Sequence, residues 1–232
     1  MSQRPFRIVE ALYPGMTQLD FTAPHTVFSR IPNAETIVAS QQGGSIESEG
    51  GLVFAGTARL ADIDRCDLLF FPGGLAVTEV INDDGFMADV CRLAAGARYL
   101  TSVCTGSLIL GAAGLLPGKR AACHWAWRDM LKLFGAIPDP ARVVRDGDVI
   151  TGGGVTAGMD FALVVAAELA GVHFAQALQL SLEYAPAPPF DSGVPESAPP
   201  EVLADVRRRM EAILPKRLAG AKAAAARLAL PA

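Results

Sequence analysis

Cys104 is the residue with the most chemistry to offer. It follows the apolar run Tyr99–Val103 directly and is followed by Thr105 and Gly106. That order predicts a strand running into a helix with no linker, and a side chain at such a junction is pushed out of the sheet, as in a nucleophile elbow. The position is also a helix N-terminus, where the dipole and free N–H groups favour a thiolate. Gly106 allows the close approach that a sharp turn needs. The pattern departs from G-x-S-x-G, because Ser102 stands in place of the first glycine. A cysteine taken alone is more often a small buried packing residue; the strand–helix junction is what argues for a nucleophile.

The other candidates read two ways. Asp20 lies between the first strand and the next helix, and an acid there serves as an N-cap or solvated loop residue as readily as an acid/base partner. Gly73 and Gly74 follow Phe70-Phe71-Pro72; they end a buried strand, and their N–H groups could equally face developing negative charge. His124, near a strand end, is packed or catalytic. Gly152, Gly154 and Gly158 give G-x-G-x-x-x-G, which misses the dinucleotide fingerprint, and Gly118-Lys119 has no upstream glycine at P-loop spacing. Of the four cysteines, Cys66, Cys91 and Cys123 are read as small buried hydrophobes. None forms a C-x-x-C pair, and the three histidines include only one beside a cysteine, Cys123-His124. Adjacent residues do not easily share a tetrahedral ion, so no zinc site is expected.

The elements that must position these residues alternate between strand and helix. Arg7–Leu12, Thr36–Ser40, Asp67–Phe71, Tyr99–Val103 and Arg120–His124 read as strands. Ile46–Phe54 and Val143–Thr151, the latter with Asp146-Gly147, read as hairpins. Helices are expected around Pro24–Arg30 and over Asp83–Ala97, Thr105–Ala113 (stopped by Gly114), Ala126–Phe134, Ala157–Ala170, His173–Tyr184 and Glu201–Leu214. The alternation predicts an α/β fold with a doubly wound, mostly parallel sheet and helices on both faces. Sites in such sheets form at the carboxyl ends of the strands, here Tyr13–Asp20, Pro72–Leu75, Cys104–Gly106, His124–Trp127 and Gly152–Gly158. The expected organisation is one domain over residues 1–232, with a proline-rich loop at 185–200 and a helical extension at 201–232.

Composition removes several classes of function. Hydrophobic residues make up 51% and charged residues 19% of the 232, as expected for a sheet buried on both faces. A net charge of −4 offers no global field for nucleic acid or an anionic membrane. Seven of the twenty Lys and Arg residues lie between Arg207 and Arg227, which reads as a solvated helix face. No apolar run reaches the roughly 18 residues of a membrane span. No export signal is read around Arg4 and Arg7, so free thiols in the cytoplasm are expected.

The segment Thr101–Trp125, T-S-V-C-T-G-S-L-I-L-G-A-A-G-L-L-P-G-K-R-A-A-C-H-W, resembles the ThiJ/PfpI superfamily. The resemblance extends to Phe70–Gly74 and Arg142–Phe161, and two further segments together narrow it to the isocyanide hydratase branch: Gln18–Thr22 and the unusual Leu182–Phe190, L-E-Y-A-P-A-P-P-F. The resemblance implies a flavodoxin-like fold, a homodimer, and neither metal nor organic cofactor. It places the nucleophile on Cys104 and the partner carboxylate on Asp20, where many superfamily members have glutamate. The implied reaction is hydration of an isocyanide to an N-substituted formamide through a cysteine thioimidate. Thr105, Gly73 and Gly74 would orient water and steady charge, and Gly153 and Thr156 would border the substrate. Thr105 replaces the histidine of the peptidase-like branch. Ala122-Cys123 replaces the Thr-Thr that relatives tend to carry before His-Trp. Two alternatives are a glyoxalase- or deglycase-like enzyme and a stand-alone sensor related to AraC-type regulators. The residues after Ala185–Pro200 are too few for the DNA-binding half of such regulators. A redox-sensor role for Cys104 would show as easy oxidation of the thiol.

Overall fold

The computed structural model describes residues 4–228. The last four residues of the expected C-terminal extension, 229–232, lie outside them. Ten strands and eight α-helices follow in chain order: β1 (Phe6–Leu12), α1 (Gln18–Phe28), β2 (Ala34–Ser40), β3 (Gly44–Glu47), β4 (Val53–Arg59), β5 (Leu68–Phe71), α2 (Val77–Val80), α3 (Asp84–Ala94), β6 (Tyr99–Val103), α4 (Ser107–Ala112), β7 (Arg120–Ala121), β8 (Ile137–Pro138), β9 (Val143–Asp146), β10 (Val149–Gly152), α5 (Ala157–Ala170), α6 (Val172–Ser181), α7 (Pro200–Glu211) and α8 (Leu214–Arg227). Eight strands form one sheet in the order β3-β4-β2-β1-β5-β6-β10-β9. The inner pairs are parallel, and the two edge pairs, β3·β4 and β9·β10, are antiparallel hairpins. This is the flavodoxin-like, doubly wound arrangement.

β5 shows why the sheet is sandwiched. All four of its residues are apolar and fully buried, and successive side chains face opposite sides. Leu68 and Phe70 join one layer with Phe28 of α1 and Phe161 of α5. Leu69 and Phe71 join the other with Val90 of α3, Leu108 of α4 and Ala224 of α8. In the first layer Phe70 meets Phe28 edge-on and stacks on Phe161, each at 5.7 Å between centroids, a geometry that adds to the burial itself.

Four expectations need correction. The first helix begins at Gln18 rather than near Pro24, so Asp20 lies in its first turn and not in a loop. Pro24 is accommodated inside that helix, although it cannot donate to the carbonyl of Asp20; it packs at Gly158 of α5, where an added Cβ would sit 3.2 Å from its ring. Arg120–His124 is not a strand of the main sheet. Only Arg120 and Ala121 pair, and they do so with Ile137–Pro138 in a separate ribbon, so four strand ends of the main sheet face the site rather than five. The segment after it, Arg128–Phe134, is a 3-10 helix. Cys91 is exposed, not buried.

Candidate active site

The carboxyl ends of β1, β5, β6 and β10 meet around Cys104. Its backbone φ of +59° is the left-handed conformation that L-residues rarely adopt, at a cost of about 1–2 kcal/mol. The strain is held on both sides. The Cys104 N–H donates to the Gly153 carbonyl at 2.7 Å, and a short 3-10 turn, Cys104–Gly106, leads straight into α4. Gly106 is required by contact: a Cβ there would lie 2.4 Å from the Phe71 carbonyl. Cys104 ends up 5% exposed.

Asp20 reaches the same point from α1 and is fully buried. Its Oδ2 accepts the Gly73 N–H at 2.9 Å, and its Oδ1 has no hydrogen-bond partner among the described residues. The turn that supplies Gly73 is tied to the loop after β1, because the Thr17 N–H donates to the Gly73 carbonyl at 2.9 Å and Met16 bridges Gly74. Thr105 closes the circle. Its Oγ1 accepts the Gly74 N–H at 3.0 Å and faces the Gly74 carbonyl at 3.3 Å.

The turn has no room for a side chain. A Cβ on Gly73 would lie 2.5 Å from the Thr105 nitrogen, 2.7 Å from its hydroxyl and 2.8 Å from Asp20 Oδ2. Gly73→Ala must therefore displace the acid, and positioning errors of about 1 Å cost on the order of 100-fold. We expect that loss in kcat/KM together with a lower urea midpoint; normal kinetics for the alanine variant would show that the turn does not hold Asp20.

Burial sets the electrostatics. It pushes the Asp20 carboxyl up to about 7, against the Gly73 hydrogen bond that favours the charged form. The Cys104 thiol is raised well above its ordinary range, first by burial and then by the negative charge of Asp20. The expectation that the helix terminus alone would favour a thiolate is thus corrected: desolvation outweighs it. Each group resists ionising beside the other, so the pair gives up one proton at about 7 and keeps the other to well above that. Either the acid is neutral beside a thiolate, or the thiol is neutral beside a carboxylate. This is an arrangement that can attack with sulfur and deliver a proton to the same carbon.

Of the residues singled out in the sequence, Cys104, Asp20, Thr105, Gly73 and Gly74 come together. The N–H groups of both glycines are already engaged, by Asp20 and Thr105. Gly153 contributes its carbonyl to Cys104. Thr156 is exposed and accepts from Arg142. It lines a mostly apolar cavity of about 770 Å³ with Leu19, Met159, Tyr184 and Phe190; neither Cys104 nor Asp20 borders that cavity. His124 approaches from the ribbon, near Gly154. Burial, and then the charge of Arg217, push it down to about 4, so it is neutral. Among the described residues no three His, Cys, Asp or Glu side chains are grouped so as to hold a metal ion.

Three residues around the site were not foreseen. The buried Tyr13 hydroxyl donates to the Pro72 carbonyl at 3.1 Å. Glu49 accepts from the Thr17 hydroxyl and from the Leu75 N–H. Arg217, read as part of a solvated face, is 2% exposed. The signal for it was its spacing: Arg217, Ala221 and Ala224 occupy one stripe of α8, and all three are buried.

The chain is 48% identical over 219 residues to the isonitrile hydratase of Pseudomonas putida, covering 94% of this chain and 96% of that one. The crystal structure of a ThiJ/PfpI family protein from Pseudomonas syringae superposes with a TM-score of 0.87 at 42% identity, over 95% of this chain and 90% of the other. Drosophila melanogaster DJ-1beta, at 24% identity, shares the fold with a TM-score of 0.70 over 78% of this chain and all of that one. Residues 7–168 match the model of the DJ-1/PfpI family. The chain belongs to the DJ-1/PfpI family.

Proposed function

We propose that this chain is an isocyanide hydratase, a hydro-lyase in which Cys104 is the nucleophile and Asp20 the acid and base. The observation that carries the reading is the buried pair itself, Cys104 in a left-handed conformation at the strand–helix junction and Asp20 held by the Gly73 N–H beside it; the extent of similarity to the Pseudomonas putida isonitrile hydratase supports it. The terminal isocyanide carbon is open to a soft nucleophile. Thiolate attack forms the C–S bond while protonated Asp20 gives its proton to that carbon, leaving a neutral thioimidate and a carboxylate. Water then adds to the thioimidate carbon. Its proton passes through Asp20 to the nitrogen. The hydroxyl proton of the tetrahedral adduct returns to Asp20 as the C–S bond breaks. The products are the N-substituted formamide, the thiolate and the protonated acid, so the site is restored. Thr105, whose hydroxyl meets the Gly74 turn, would orient that water by giving up its long bond to the Gly74 carbonyl.

The test is formation of the N-formamide from para-nitrophenyl isocyanide by the purified chain. Turnover is the expected result. No turnover by folded, reduced protein would overturn the reading, and lactate from methylglyoxal would then point to the glyoxalase-like alternative. A second expectation concerns pH. The active form holds one proton on the pair, so kcat/KM should rise through about pH 7 as the second proton leaves and fall again at high pH. An acid limb near 4, the ordinary carboxylate range, would show that Asp20 is not raised. We further propose that the enzyme is a cytoplasmic homodimer, which sedimentation of the pure chain and cell fractionation would check. Among the described residues no helix is long and apolar enough to cross a membrane.

A further inference from the structure

Arg217 is the one Lys or Arg that is buried among the described residues, and its polar partners are carbonyls rather than a carboxylate. Nη2 donates to the Gly74 carbonyl at 3.3 Å and to the Leu75 carbonyl at 3.0 Å. The guanidinium lies over the Trp127 ring, 4.4 Å from its centre, and Nε has no partner. The nearby acid, Glu79, is bonded instead to Lys216. A buried guanidinium without a counter-ion carries a desolvation cost that no ion pair offsets. An apolar residue on the same stripe of α8 would pack there without that cost, so stability does not account for the arginine.

Its contacts do. The two carbonyls belong to the turn whose N–H groups hold Asp20 and Thr105. We propose that Arg217 is a positioning residue of the active site, clamping the Gly74 and Leu75 carbonyls so that the turn holds Asp20; because the Gly74 carbonyl it holds also meets the hydroxyl of Thr105, the neighbour of Cys104, its positive charge stands on the turn beside the thiol and favours the thiolate. The groups facing this region from the other elements are Tyr13, Glu49, Asp20, Cys104, Cys123, neutral His124 and Arg128. Burial raises Tyr13 far above its ordinary range and Cys123 to about 12, so neither supplies a compensating charge near neutrality. Arg217 lies on α8, outside residues 7–168 matched by the family model; the C-terminal helix thus completes a site whose chemistry sits in the family core.

The test uses the full chain with Arg217→Met and Arg217→Lys, and two readouts. One is the pH dependence of Cys104 alkylation by iodoacetamide, followed by mass mapping of the Cys104 peptide. The other is the pH profile of para-nitrophenyl isocyanide hydration, which rests on the hydratase reading; the alkylation readout does not. In Arg217→Met the acid limb of both profiles should move up by about one pH unit, with kcat at neutral pH down about tenfold. Arg217→Lys keeps the charge, but its shorter stem and its lack of a planar guanidinium to lie over Trp127 take the nitrogen off the two carbonyls that Nη2 alone now holds. It should alkylate with the parent's pH dependence while losing kcat. Parent-like limbs in a folded Arg217→Met would overturn the electrostatic role. Full kcat in Arg217→Lys would overturn the clamp, and remains decisive if the methionine variant does not fold. Failure of the parent to hydrate the isocyanide, with the alkylation shift intact, would sink the hydratase reading and leave Arg217 in place.

Discussion

Replacing Cys104 with glycine is expected to abolish isocyanide hydration while giving a more stable fold than replacing it with alanine. Both changes remove the sulfur proposed to form the thioimidate, and loss of a covalent nucleophile costs on the order of 10⁴-fold or more. The two differ in backbone. At φ +59° alanine keeps the clash of its Cβ with the backbone, whereas glycine has none to relieve, so glycine should be favoured by about 1 kcal/mol. The neighbouring bond from the Cys104 N–H to the Gly153 carbonyl is unaffected in either variant. Urea unfolding of the two, alongside the turnover assay, separates the claims. Residual thioimidate chemistry without the thiol would refute the nucleophile assignment. Equal stability of glycine and alanine would mean that the elbow stores no strain, and that evolution did not accept an unfavourable conformation here to present sulfur.

The elbow was the most legible part of the chain, for a local reason. An apolar strand that meets a helix without a linker leaves the junction residue one direction to point, and the pattern Tyr99–Gly106 contains all of that information. The helix Ala157–Ala170 was equally plain, being an apolar segment bounded by Gly154 and Gly171. What failed depended on distant packing. Pro24 looked like a helix start because proline suits a first turn, yet the helix begins six residues earlier, where Thr17 and Asp20 are held by the Gly73 turn and Pro24 is seated against Gly158. Arg120–His124 has strand-like composition, but only two residues find a partner, and that partner is Ile137–Pro138. The charge of Asp20 was ambiguous in the sequence because burial, which raises it, is a property of four loops meeting. Arg217 was hidden by its neighbours: among seven basic residues, only its place on the alanine stripe of α8 set it apart.

Asp20→Asn carries the second large expectation, in two directions at once. Hydration should fall by about 10²–10⁴-fold, since the amide can neither deliver a proton to carbon nor take one from water. Stability should rise, and the sign follows from linkage. The folded carboxyl sits at about 7, against roughly 3.9 in the unfolded chain, so the folded state binds the proton more tightly. The stability this provides is fully present below about pH 4 and is lost as pH rises through about 7. Above that point the fold carries a buried charge, a penalty of up to about 4 kcal/mol for a shift of about three units. Asparagine has the same shape, its oxygen can accept the Gly73 N–H that Asp20 Oδ2 accepts now, and it never ionises. Its advantage in urea midpoint should therefore be small at about pH 4 and should widen to about 2 kcal/mol or more by pH 8. A difference that stays flat with pH would show that the carboxyl titrates normally, and with it would go the protonated acid on which the first step of hydration depends.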